Sequence, residues 1–226
     1  MFIRSFLTAA AIAIFQCTIA FAGSSSTCLE PVEPYQEDRV EYLAKMHKLI
    51  EPAIEPFLQM RVNPSFEPDY SVCLHGSPGD VYWADAKPIF VSFYRADRNI
   101  GYSLPKYNDG KDEKVSVAVT TAELPRPVAE RIHEAWSKIL LRTRYSDDSV
   151  IRADPTTIQF SCRGNRGSRY AEAYDAECED SVLLVELGGS LIDYCNAEAD
   201  KRAAALKVIE KRIRAVETHL KKRGWD

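Results

Sequence analysis

The chain opens on an apolar run from Phe6 to Phe15, preceded by a single charge at Arg4 and followed by Ala20-Phe21-Ala22. This is the pattern of a cleavable export signal over residues 1–22, with small residues at the positions a signal peptidase inspects. An apolar core of about ten residues is too short to span a bilayer of roughly 30 Å, so no membrane span is expected after cleavage. Residues 23–36 read as a flexible Ser- and Pro-containing lead-in to a single domain over 37–226. Val40, Leu43, Ala44, Met46, Leu49 and Ile50 recur at helical spacing behind Asp38, which predicts a helix from Glu37 to about Ile50. Pro52 and Pro56 interrupt it. A short second helix is expected over 53–60, ended by Asn63-Pro64 and Glu67-Pro68.

The period then changes to two. Val72–Leu74, Val81–Trp83, Ile89–Tyr94, Ile100–Leu104 and Val115–Val119 are short, β-branched and aromatic, and separated by turn formers, with Asn108-Asp109-Gly110 as a tight reversal. They predict an antiparallel meander. Val115, Val117 and Val119 alternate with Ser116 and Ala118, as in a strand with one face in solvent. Pro125 and Pro127 suit a helix start, and the apolar stripe from Val128 through Trp136 to Leu140 carries that helix to about Arg142. A second hairpin pairs 156–162 with 169–174 around a Gly-containing turn. Helices are expected over about 181–197 and 200–222. In the last, Leu206, Ile209, Ile213, Val216 and Leu220 make a seam of little more than two heptads, suited to packing on the chain's own helices. The expected fold is α+β: an antiparallel sheet of about five to seven short strands, helices largely on one face, and a long amphipathic C-terminal helix.

Composition changes this picture little. Apolar residues make up 46% and charged residues 27%, ordinary globular values. Loss of Arg4 with the signal takes the formal net charge from −4 to −5, so no nucleic-acid partner is expected. Charge is unevenly placed: Lys201–Arg223 holds nine bases against Glu210 and Glu217, a face suited to contact with an anionic surface.

Export places the cysteines in an oxidising compartment. Cleavage discards Cys17 and leaves Cys28, Cys73, Cys162, Cys178 and Cys195, an odd set. Running a helix back along the second hairpin brings Cys195 level with Cys162, which makes these two the favoured disulfide pair; Cys28 with Cys73 is the second choice, leaving Cys178 free. No CxxC pair exists, and neither metal nor cofactor is expected.

Candidate chemistry is sparse. Cys73, His75, Ser77 and Asp80 crowd one loop, where His75 as base and Ser77 or Cys73 as nucleophile would serve a hydrolase; Gly76, Pro78 and Gly79 also make the stretch a good turn. Arg163, Arg166 and Arg169 could present guanidinium forks to an anion or partner. Tyr170, Glu172 and Tyr174 alternate on one strand face and could line a groove. His47, His133 and His219 lie in predicted helices without an evident partner. The acidic turns at Asp147-Asp148 and 108–113 lack the spacing of a calcium loop.

The succession of Val81–Trp83, Val91–Tyr94, a helix bearing Trp136, a hairpin with Phe160, Tyr170 and Tyr174, and then Leu183–Tyr194 resembles small exported bacterial α+β proteins of unknown function. The resemblance spans about residues 71–197 and carries no catalytic residue. The sequence therefore leads to a periplasmic or secreted binding protein without catalytic activity, an inhibitor or immunity-type partner of another envelope protein. An envelope hydrolase and a structural envelope-associated protein are the alternatives.

Overall fold

The computed structural model describes residues 29–32, 37–51, 55–77, 86, 88–143, 155–164, 167–176 and 178–225. The expected strand at Val81–Trp83 lies outside them. Six antiparallel strands form one sheet in the order β4-β3-β2-β1-β5-β6, with β1 Leu58–Asn63, β2 Tyr70–His75, β3 Ile89–Ala96, β4 Val117–Leu124, β5 Thr157–Gly164 and β6 Gly167–Tyr174. The first four strands are the meander. The second hairpin adds to the free side of β1, so β1 becomes interior, and α2 Arg126–Leu140 makes the crossover between β4 and β5.

Three helices cover one face. Leu58, Met60 and Val62 of β1, Val72 and Leu74 of β2, and Ile158 and Phe160 of β5 point to this side, where they meet Trp136 of α2, Leu187 of α3 Glu179–Asn196 and Ile213 of α4 Arg202–Lys222. All are buried. Trp136 stands edge-on to Phe160 at 5.7 Å between ring centroids. The α4 seam packs on α2 and α3, as its period implies. At its end His219 Nε2 lies 2.6 Å from Asp180 Oδ1 and its ring stacks edge-on against Trp225.

The opposite face follows another chemistry. Gln59, Arg61, Ser71, Ser92 and Glu172 alternate with the apolar set and point away from the three helices, yet none is more than 6% exposed. Part of their cover is α1 Glu37–Ile50, whose Met46 and Ile50 join Ala96, Ile100 and Val115 in a small second core. A short bridge from Glu30 to Glu172 extends the sheet past β6.

Three local expectations are corrected. The proposed helix over 53–60 gives way to β1 from Leu58, where Leu58, Met60 and Val62 enter the core and Arg61, on the second face, finds polar partners in Glu51 and Gln159. Ile100–Leu104 is no strand but part of two 3-10 turns, Gly101–Ser103 and Pro105–Tyr107. A Cβ at Gly101 would stand 3.0 Å from Asn99 Oδ1 and 3.7 Å from the Tyr42 ring, so this close approach uses the absence of a side chain. The last meander strand begins at Val117 and runs to Leu124 at the sheet edge, where Val119 is half exposed and Ala122 and Leu124 enter the core.

Candidate functional site

The buried polar face is organised in rows that follow strand register. Arg61, Gln159 and Glu172 are directly opposite on β1, β5 and β6. Arg61 pairs with Glu51 and donates to Gln159 Oε1 at 3.0 Å, and Gln159 Nε2 donates to Glu172 Oε2 at 2.9 Å. A chain of alternating charge and amide thus crosses the sheet, which is how ionised groups tolerate removal from water.

Next to this row a cleft of about 370 Å³ opens between α1, the loop after β3 and the end of the β5–β6 hairpin. Tyr42, Tyr107 and Tyr174 supply aromatic walls; Asn63, Thr157 and Gln159 supply polar ones. Asp69, fully buried, holds the cleft together: its carboxylate accepts from Tyr42 Oη at 2.8 Å, from Asn63 Nδ2 at 3.1 Å and from the Ile100 N–H at 2.5 Å. One side chain therefore fixes α1, β1 and the 99–107 loop. Burial pushes its carboxyl above the ordinary range, and the three hydrogen bonds oppose that shift. Asn99 does similar work, donating to Pro64 O at 2.8 Å and accepting from the Tyr102 N–H at 3.2 Å. Lys45 pairs with Asp112 and donates to Ser103 O at 3.3 Å and Glu113 O at 3.1 Å.

Beside the cleft three rings stand in the open. Phe66 is 70%, Tyr102 50% and Tyr107 59% exposed. Phe66 and Tyr102 are stacked at 6.3 Å, Tyr102 and Tyr107 are edge to face at 6.1 Å, and Lys106 Nζ lies 4.9 Å over the Tyr107 ring. Exposed rings set side by side are a feature that interaction surfaces share.

The sequence candidates divide around this site. Tyr170, Glu172 and Tyr174 do share the second face, but Tyr174 lines the cleft, Glu172 is buried in the polar row, and Tyr170 borders a separate hollow of about 40 Å³ with Gln59 and Arg61. Arg163 and Arg169 do not assemble. Arg163 pairs with Glu55 at 2.8 Å, Arg169 donates to Ser137 Oγ at 2.9 Å on the helix side of the sheet, and Arg166 lies outside the described residues.

Of the proposed catalytic loop, Cys73, His75 and Ser77 are among the described residues. His75 Nε2 lies 2.8 Å from Ser92 Oγ instead of Ser77, and its Nδ1 lies 2.8 Å from the Gly76 carbonyl; Asp80 is outside the described residues. With Nδ1 donating to that carbonyl, Nε2 accepts from Ser92, which in turn lies 2.8 Å from Thr121 Oγ1. Ser92 is 1% exposed. Burial pushes the Cys73 thiol far up, so it holds its proton at neutral pH.

Both disulfide bets are overturned, since Cys73, Cys162 and Cys195 are free and buried. The helix α3 packs over β2, β3 and β4 rather than back along the second hairpin, and Cys195 Sγ donates to Val91 O on β3 at 3.3 Å. Cys162 sits on β5, three strands away, or about 14 Å at roughly 4.8 Å per strand. Cys178, expected to be free, is disulfide-bonded. Cys17 and Cys28 lie outside the described residues.

Among the described residues no cluster of His, Cys, Asp and Glu could hold a metal, and no helix is long and apolar enough to cross a membrane. On α4, Lys207, Lys211 and Arg214 are exposed, while Arg212 pairs with Glu186 at 2.6 Å and Glu217 pairs with Arg131 of α2 at 2.8 Å.

Comparison with protein-family models, curated proteins and solved structures finds no match.

Proposed function

We propose that this chain is an exported, non-catalytic binding protein of the cell envelope, and that it recognises its ligand at the cleft beside Phe66, Tyr102 and Tyr107. The exposed aromatic row carries the reading: three large rings are left in water next to a cleft whose walls are pinned by Asp69, Asn99 and Lys45. Binding sites are built this way, with rigid supports behind the groups that touch the ligand. An inhibitor or immunity-type relation to an envelope protein is one form of this reading. A hydrolase at the 73–80 loop has less support, because Cys73 holds its proton and His75 Nε2 is turned to the buried Ser92.

The test is retention from a solubilised envelope fraction on the immobilised wild-type protein and on the double variant Tyr102→Ala/Tyr107→Ala. One dominant component, protein or glycan, should be retained by the wild type and lost by the variant. Equal retention by both, or by neither, contradicts the reading.

A further inference from the structure

We propose that the cleft takes a neutral oligosaccharide, packing sugar rings on Tyr42, Tyr107 and Tyr174 and continuing along the exposed row of Tyr102 and Phe66. This rests on the reading of the cleft as a binding site and gives its ligand a chemical class.

Charge is the first argument. In a chain with 27% charged residues, Lys106 is the one charged side chain among the described residues lining the cleft, and its ammonium lies over the Tyr107 ring. The charged groups beneath the floor are engaged within the protein, Arg61 with Glu51, Glu172 with the Gln159 amide, and the Asp69 carboxyl with Tyr42, Asn63 and the Ile100 N–H. A charged ligand would lose its hydration without a matched countercharge. A neutral one meets amides and hydroxyls, at Asn63, Asn99, Gln159, Ser65 and Thr157; the first four already donate within the protein, and their oxygens, with two lone pairs each, suit the hydroxyl donors of such a ligand.

Shape is the second. A pyranose ring has apolar C–H faces and a polar hydroxyl rim, and tyrosine pairs a flat apolar face with a polar tip. At about 370 Å³ the cleft falls in the small-ligand range of roughly 300–1,000 Å³. Outside it the rings continue in steps of 6.1 and 6.3 Å, which favours a chain of sugars over a single one.

Topology separates a glycan from a peptide. An extended peptide gains affinity by adding a strand to a free sheet edge, and a helical one needs an apolar groove. The strands that reach the cleft through Asn63, Thr157 and Gln159 are β1 and β5, both interior and paired on both sides; β6 reaches it only through Tyr174, and its outer side carries the bridge from Glu30 to Glu172. The floor of the cleft thus offers no backbone ladder, and its polar walls are amide, hydroxyl and phenol.

The experiment is titration calorimetry of the mature protein with chitotetraose, cellotetraose and maltotetraose, with tetragalacturonate and a set of uncharged tyrosine-containing decapeptides as the competing classes. At least one neutral tetrasaccharide should bind, with an affinity unchanged between low and high salt. Phe66→Ala and Tyr107→Ala should each weaken it about tenfold, or ~1.4 kcal/mol, without moving the unfolding midpoint. Preference for tetragalacturonate, loss of binding in salt, or binding of the decapeptides alone overturns the proposal. Silence from every probe, with retention of an envelope protein still dependent on Tyr107, removes the glycan and leaves the binding site standing; silence in both experiments removes both.

Discussion

The two faces of the sheet are equally buried at their centres and chemically opposite. Under α2, α3 and α4 the side chains are Met60, Val72, Val91 and Phe160; on the other side, at neighbouring positions of the same strands, they are Gln59, Arg61, Ser71 and Ser92. The first face is held by area removed from water and has no preferred direction. The second is held in part by directed hydrogen bonds between particular neighbours, such as Arg61 with Gln159 and Gln159 with Glu172. Stability can be built from either, but only the second leaves polar groups and flat rings arranged in fixed positions at its open end. The cleft lies there.

The largest effect should come from the apolar face. Trp136→Ala removes a fully buried ring packed on Phe160 and is expected to cost about 3–5 kcal/mol, read as a lowered midpoint in denaturant unfolding. On the polar face Asp69→Ala strips the acceptor from Tyr42, Asn63 and the Ile100 N–H. A loss of about 1–3 kcal/mol is expected, together with weakened ligand binding, a pairing that Trp136→Ala should not reproduce once the variant is folded.

Thiol reactivity sharpens the comparison without a large energy. Burial pushes Cys162 and Cys195 up to about 12 and Cys73 higher still, so a maleimide or iodoacetamide at neutral pH should leave all three unmodified in the native protein. Unfolding without reductant should expose all three, and Cys178 should remain unlabelled until reduced. In a chain cleaved after Ala22 the only cysteine left to partner Cys178 is Cys28, so non-reducing peptide mapping should join those two.

A smaller effect is expected from pH. His133 Nε2–H donates to the Arg163 carbonyl at 2.8 Å, and burial holds its pKa below 6.5. The unfolded chain then takes up the proton first on acidification. Native stability due to this group is therefore present above the unfolded value and declines as pH falls below 6.5 toward the lower folded value. His133→Gln should flatten that slope in unfolding measured across pH 7 to 5, and an unchanged slope contradicts the assignment. The smallest change in stability belongs to Tyr107→Ala, within about 0.5 kcal/mol, because its ring is mostly in solvent.

The sequence was legible where burial and apolarity coincide. The seam of α4, the stripe of α2 and the strands at Ile89 and Ile158 follow a period that hydrophobic partition enforces. It was misleading where polar residues are buried. Gln59 and Arg61 look like solvent-facing positions, and Gln159, which accepts from Arg61, lies 98 residues away, so a central strand read as a helix. The same blindness hid the cleft: Asp69 follows Pro68 in an ordinary turn, and nothing local says that it bonds to Tyr42 and Ile100. Tyr174 was recognisable from its strand period. Phe66, Tyr102 and Tyr107 left one usable signal, large rings set among Asn, Gly and Pro where no regular element could bury them. The Cys162–Cys195 bet failed for a topological reason, since the lengths of a strand and a helix do not say over which strands the helix returns.

Amide chemical-shift mapping of the labelled protein, titrated in turn with chitotetraose, cellotetraose and maltotetraose, tests the division of labour most directly. The account expects shifts confined to the polar face at residues 63–66, 99–107, 157–159 and 174, with the amides around Trp136 and along α4 unmoved. Shifts centred on the basic face of α4, or none at all at the aromatic row, contradict it.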